Sequence, residues 1–119
     1  MDIQRINPAP RWSDATIYNG LVHVVEIPED ADASTGIREQ ARQIFAQAEA
    51  SLAQAGSDKS RILSVTIYIT DRNNVAAFNE EWEAWLPAGC APSRACLKVE
   101  LLNPDLLVEI AFVAARADA

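Results

Sequence analysis

The chain has 119 residues, of which half are hydrophobic and 23% are charged, a composition typical of a folded protein that is too short for two independent cores. Its formal net charge of −7 and sequence pI near 4.5 oppose binding to nucleic acid or to an anionic membrane surface. We therefore expect one domain over residues 1–119, with neither nucleic acid nor a membrane among its partners.

The first residues contain no positively charged segment followed by an apolar one, and no apolar run is long enough to span a bilayer. These features predict a cytoplasmic protein, in which thiols stay reduced. Cys90 and Cys96 form no Cys-x-x-Cys pair, so we expect two free thiols and no zinc site. We interpret Cys96 as a small buried residue rather than a nucleophile.

The first predicted element is a β-hairpin in "ATIYNGLVHVV". Two short strand-like runs, Thr16 to Tyr18 and Leu21 to Val25, flank the pair Asn19-Gly20. Asn-Gly favours the type I′ turn, whose two central residues take positive φ angles. The spacing therefore predicts two antiparallel strands with a two-residue turn.

A helix is expected next, beginning after Ser34 or Thr35 as its N-cap and ending before Gly56, which suits the position just past a helix C-terminus. Apolar residues recur at the spacing of one helical face. They are Ile37, Ala41, Ile44, Phe45, Ala48 and Leu52.

The segment "RILSVTIYITD" alternates in the manner of a strand. Its apolar face is predicted to contain Leu63, Val65, Ile67 and Ile69. A second helix follows, starting near Asn73 or Asn74 and ending before Pro87. Its apolar side contains Val75, Phe78, Trp82, Trp85 and Leu86.

The C-terminal segment "APSRACLKVELLNPDLLVEIAFVAA" contains two apolar runs around Asn103-Pro104, which we interpret as a hairpin. A tight antiparallel register would place Glu109 opposite Lys98 and Arg94 opposite Val113. The predicted order is β-β-α-β-α-β-β, an α+β fold with a single mixed sheet and two helices on one face. Because both sides of the last strands are apolar, the second face calls for a partner subunit as its cover.

Arg94 and Glu109 are unusual charges in such apolar strands, and the pattern leaves two interpretations open. In the first, Glu109 pairs with Lys98 at the surface and Arg94 is solvated, which spacing alone favours. In the second, the two residues flank a small ligand across roughly 13 Å, with the Arg94 guanidinium binding a carboxylate by two parallel hydrogen bonds.

The residues that carry these charges also resemble a known family. "APSRACLKVE" followed by "VEIAFVAA" is similar to the Pro-x-Arg-x-Cys-x-x-Val strand of the RidA/YjgF family, with Glu fifteen residues after the Arg. This family is also called the RutC family and carries older endoribonuclease L-PSP labels. The segments "RWSDATIYNGLVHV" and "LLNPDLLVEI" resemble its short YoaB-like branch, and the resemblance covers almost the whole chain.

The resemblance implies a homotrimer around a barrel-like core, of chorismate-mutase-like fold, with ligand clefts between subunits. It implies hydrolysis of 2-imino acids such as 2-iminobutanoate and 2-iminopropanoate, or of their enamines, to 2-oxo acids and ammonia without metal or cofactor. Arg94 would bind the substrate carboxylate, and the backbone carbonyl of Cys96 would face the imine nitrogen. Glu109 would position the attacking water, and Trp12 would form a wall of the pocket.

The chain departs from the family pattern at Val25-Glu26, where members have a Ser/Thr-Gly pair beside the ligand carboxylate. Glycine allows a close backbone approach that a side chain obstructs, and an inward Glu26 would place negative charge near the substrate. A non-catalytic binding or sensing module on the same scaffold is therefore the alternative. Ribonuclease activity ranks last, because the chain is acidic and contains one histidine.

Overall fold

The computed structural model describes residues 2–117, which form six strands and two helices. The strands are β1 (Gln4–Ile6), β2 (Ala15–Tyr18), β3 (Leu21–Glu26), β4 (Ile62–Ile69), β5 (Ser93–Lys98) and β6 (Val108–Ala115). The helices are α1 (Ile37–Gln54) and α2 (Val75–Trp85). The strands make one mixed sheet in the order β1-β2-β3-β6-β4-β5, in which only the β4–β5 pair is parallel among the described strands.

The predicted N-terminal hairpin is confirmed. Asn19 and Gly20 have φ angles of 54° and 77°, as a type I′ turn requires, and Thr16 lies opposite His23. The short strand β1, which pairs with β2, was not predicted. Three residues are too few to show the alternation by which a strand is recognised.

The apolar stripe of α1 is confirmed, since all six of its predicted residues are buried. The predicted N-cap is wrong: Gly36 occupies that position without a side-chain hydrogen bond. The hydroxyls of Ser34 and Thr35 donate instead to Asp32 Oδ1, at 2.6 and 3.3 Å. Both side chains therefore form hydrogen bonds within the turn that precedes the helix and do not cap it. At the other end Gly56 has the expected positive φ, 81°.

The predicted apolar face of β4 is confirmed at Val65, Ile67 and Ile69 and wrong at Leu63. The pairing with β6 runs from Ile62–Ala114 to Ser64–Val113, so Leu63 is an extra residue in a β-bulge. The bulge reverses the alternation locally, leaving Ile62 buried at 5% exposure and Leu63 at 49%.

The predicted C-terminal hairpin is wrong, because β5 and β6 lie on opposite sides of β4. Glu109 faces Tyr68 across the β4–β6 pair, not Lys98, and Arg94 lies beside Val65, not Val113. Because β6 is a central strand paired with both β3 and β4, its apolar pattern reflects that position rather than a hairpin.

The two helices cover one face of the sheet, and the packing between them is aromatic. Phe45 of α1 stacks on Trp85 of α2 with ring centroids 4.5 Å apart, and the predicted core residues Phe78 and Trp82 are buried beside it. The opposite face is left open in the single chain, where Tyr18, Val25 and Leu97 are 49%, 60% and 45% exposed. Within residues 2–117, neither helix has the length and apolar character needed to cross a membrane.

Candidate functional site

A cavity of about 520 Å³ opens at the C-terminal end of β3. Its walls are residues 12–14 before β2, residues 25–27 and 29 at the end of β3, residues 47, 50 and 51 of α1, and Glu109 of β6. The volume falls within the range of about 300–1,000 Å³ that small-molecule pockets occupy. The cavity reaches from the open face of the sheet to the helix that covers the other face.

Four of the six predicted site residues line this cavity: Trp12, Val25, Glu26 and Glu109. Val25 lies opposite Ala111, two residues from Glu109, so the two side chains are diagonal neighbours on the open face. Trp12 is 66% exposed, an unusual state for so large an apolar side chain and one that suits the wall of a ligand site.

Glu26 points away from the open face and toward α1. Its side chain is only 7% exposed. The Gln47 amide donates to Oε1 at 3.1 Å, and the Ser51 hydroxyl donates to Oε2 at 3.0 Å. The carboxyl group is therefore held at the α1 wall of the cavity by one hydrogen bond to each oxygen.

Burial raises the pKa of Glu26 above its ordinary value, because the charged form loses hydration. The hydrogen bonds from Gln47 and Ser51 oppose this effect, and the negative charges of Glu29 and Asp14 reinforce it. A cationic neighbour would therefore stabilise the charged form of Glu26.

Arg94 does not line the cavity. In β5 it lies beside the buried Val65, hence on the helix side of the sheet, whereas Glu109 is on the open side. Its Nη2 donates to Asn79 Oδ1 at 2.7 Å, and the guanidinium lies 5.8 Å from the ring centre of Trp82. Two strand spacings of about 4.8 Å also separate β5 from β6. Within one chain, Arg94 and Glu109 cannot meet at one small ligand.

Cys96 lies two residues after Arg94 in β5, on the same side of the sheet, and it is likewise outside the cavity. The expectation that it is buried is wrong for the single chain, because all six residues of this edge strand are exposed. Cys90 is half-buried, and both cysteines are free thiols within the single chain.

Among the cavity residues that sequence reasoning missed are the two partners of Glu26, Gln47 and Ser51. They lie four residues apart on α1, at polar positions bordering the apolar stripe. That spacing places the two side chains on the same face of α1, which can be read from the sequence. The sequence does not show that the end of β3 packs beside this face, so the pair could not be assigned to the cavity.

The family model described as Ribonuc_L-PSP, endoribonuclease L-PSP, matches residues 2–116. The RutC family protein YoaB of Escherichia coli K12 is 44% identical over 115 residues, covering 97% of this chain and 99% of that protein. A RutC family protein of Haemophilus ducreyi is 34% identical over 114 residues, covering 95% and 96%.

Among solved structures, a member of the YjgF protein family from Neisseria meningitidis superposes with a TM-score of 0.92. It is 38% identical, and the match covers 100% of this chain and 98% of that one. The sheet order and the two-helix layer therefore recur in a close structural relative. The chain belongs to the RidA/YjgF/RutC family.

Proposed function

We propose that the protein is a hydrolytic deaminase that converts reactive 2-imino acids, or the enamines in equilibrium with them, to 2-oxo acids and ammonia. The observation that carries the proposal is that the fold divides the matched residues between two separate places on the chain. Glu109 and Trp12 line a cavity, while Arg94 lies on an outer strand with its guanidinium oriented by Asn79. Two copies of the chain would complete one site.

The proposed assembly is a homotrimer with the sites at its subunit interfaces. Its support is the open sheet face, whose apolar side chains Tyr18, Val25 and Leu97 are exposed in the single chain. An uncovered apolar face of this kind is typical of a surface that a partner covers. In the trimer, β5 of one subunit would bring Arg94 and Cys96 to the cavity of the next.

The chemistry needs few groups, because an iminium carbon is already electrophilic. Arg94 would bind the substrate carboxylate through two parallel hydrogen bonds and so fix the position of C2. Glu109 would accept a proton from the water that attacks C2, forming a C–O bond and leaving the electron pair of the C=N bond on nitrogen. Glu109 would then return the proton to that nitrogen. As the C–N bond breaks and ammonia leaves, the new hydroxyl group loses its proton to Glu109, and the O–H electron pair forms the C=O bond of the 2-oxo acid.

The test is to generate 2-iminobutanoate with an amino-acid oxidase and to follow oxo-acid release. We expect wild type to accelerate release and Arg94→Ala to lower kcat/KM by about thirty- to a thousandfold, the effect of losing a charged hydrogen-bonded contact worth about 2–4 kcal/mol. Arg72→Ala is the matched control, because Arg72 is an exposed arginine outside both the cavity and the sheet. No acceleration by wild type, or equal rates for Arg94→Ala and wild type, contradicts the proposal.

A binding or sensing module is the second candidate, and the observation that favours it is the side chain at Glu26, where the family pattern has glycine. The carboxyl group occupies the α1 wall of the cavity and changes the ligand that fits. Thermal-shift measurements with 2-oxo acids, amines and neutral metabolites separate the two functions. Stabilisation by an amine, without imine hydrolysis, would favour the binding module.

A further inference from the structure

We infer that Glu26, held by Gln47 and Ser51, determines ligand specificity by binding a positively charged hydrogen-bond donor at the far end of the ligand side chain. The inference rests on the proposed function, which it deepens by naming a substrate class: 2-imino acids with a cationic side chain. Small apolar imino acids would then be the poorer substrates.

The first argument is the preorganisation of the carboxyl group. Each oxygen of Glu26 accepts one hydrogen bond from α1, and a carboxylate oxygen has room for a second. The two hydrogen bonds fix the orientation of the carboxyl group, so little further side-chain entropy is lost when a ligand donor binds to it. With Glu26 only 7% exposed, a charged contact there is weakly screened by solvent.

The second argument is the charge of the whole cavity. Asp14, Glu26, Glu29 and Glu109 all line it, and none of its lining residues within the described chain is Lys or Arg. A cleft lined by one sign of charge concentrates ions of the opposite sign. Arg94 of the neighbouring subunit would bind the substrate carboxylate in the proposed assembly, and the remaining acidic lining of the cavity favours a cationic side chain over an anionic one.

The third argument is the direction of the cavity. Glu26 lies opposite Ile110, next to Glu109 along β6, but the two carboxyl groups are on opposite faces of the sheet. The cavity joins them. A ligand whose reacting carbon lies at Glu109 therefore extends its side chain toward α1 and Glu26. A short apolar side chain would leave the buried carboxylate with its two neutral partners, Gln47 and Ser51, and without a cation to balance its charge.

The experiment compares three imines, generated by an amino-acid oxidase from arginine, citrulline and norleucine. The first two have nearly the same shape and differ in charge, and the third offers no donor. We expect wild type to favour the arginine imine over the norleucine imine by at least about tenfold in kcat/KM, with the citrulline imine between them. Glu26→Gln should reduce that ratio by about tenfold, mainly through KM.

Asp30→Asn is the matched control, because it removes the same charge from an exposed neighbouring residue outside the cavity and should leave the ratio unchanged. Ser51→Ala provides a second variant: it removes one of the two bonds that orient Glu26 and should lower the ratio in the same direction. A wild-type preference for the norleucine imine, or a ratio unaltered in Glu26→Gln, overturns the inference while leaving the deaminase proposal intact.

If wild type accelerates no imine, the proposed function fails and the specificity is measured by binding alone. The probes are the 2-oxo acids of arginine and norleucine, with affinity determined by calorimetry. Tighter binding of the guanidino compound that is lost in Glu26→Gln supports the role of Glu26. Equal affinity for the two compounds contradicts it.

Discussion

Glu26 shows how the direction of one side chain determines which wall of a cavity carries a charge. Its position after Val25 in β3 could be derived from the sequence, but the direction of its side chain could not. Strand alternation only places Val25 and Glu26 on opposite faces, and the packing of α1 on one face puts Glu26 beside Gln47 and Ser51, which bind its carboxyl group. Because those partners are more than twenty residues away in sequence, no local pattern connects them to Glu26.

The raised pKa of Glu26 predicts a pH-dependent stability difference. Well below its ordinary pKa of 4.5, the carboxyl group is protonated in both the folded and the unfolded chain. As the pH rises above that value, the unfolded chain ionises first, so the free energy of unfolding of wild type falls relative to Glu26→Gln. This loss of stability is complete once the pH is above the pKa of Glu26 in the folded protein.

Urea unfolding of both proteins at equal concentration, between about pH 4 and pH 7.5, measures this difference. We expect Glu26→Gln to gain stability relative to wild type across the interval. A difference that does not change with pH would show that burial does not destabilise the charged form.

At the scale of elements, α1 is joined to the loop before β6 by Gln40, which is completely buried. Its Nε2 donates to the carbonyl oxygens of Thr35 and Asp105, at 2.9 and 3.0 Å. Its Oε1 accepts from Leu107 N at 2.8 Å. These bonds fix the point at which the chain enters β6, two residues before Glu109.

Gln40→Leu should therefore destabilise the protein by about 2–4 kcal/mol, because it leaves buried backbone groups without partners. Urea or thermal unfolding measures the loss. Gln54→Leu is the control on the same helix: Gln54 is exposed, and its replacement should change stability by less than about 0.5 kcal/mol. Similar stabilities for the two variants would contradict a bridging role for Gln40.

The elements themselves were largely predictable, and their pairing was not. The α1 stripe and the Asn19-Gly20 turn are local patterns, and both are confirmed. The C-terminal hairpin was inferred from two adjacent apolar runs, but each run pairs with β4 instead. Alternation within a strand does not specify its neighbours, and a bulge such as that at Leu63 has no signal in a short apolar sequence.

For the whole molecule, the proposed assembly predicts a particle of about three times the 13.0 kDa of the chain in light scattering. Leu97→Lys should weaken the assembly, because Leu97 lies beside Tyr68 on the open face and is 45% exposed in the single chain. Ala53→Lys, on the exposed side of α1, is the control and should leave the mass unchanged. A wild-type protein of monomeric mass contradicts the assembly.

The candidate site is also a property of the whole assembly, because its residues come from more than one subunit in the proposed trimer. The family motif identified Arg94, Cys96 and Glu109 together, whereas the fold separates them between the two faces of one sheet. Sequence could not indicate this separation, because a motif records which residues act together and not which subunit contributes each. The central claim of the account is that one site uses Glu109 of one subunit and Arg94 of another.

Mixing two inactive variants tests that claim most directly. Arg94→Ala and Glu109→Gln are each expected to retain no more than about 3% of wild-type activity on 2-iminobutanoate, the upper limit of a thirtyfold loss. In assemblies formed after equal co-expression, one half of the subunits retain Arg94 and the other half retain Glu109, so about a quarter of the intersubunit sites are complete. We predict recovery of about a quarter of wild-type activity, and mixed assemblies that remain as inactive as the separate variants would contradict a shared site.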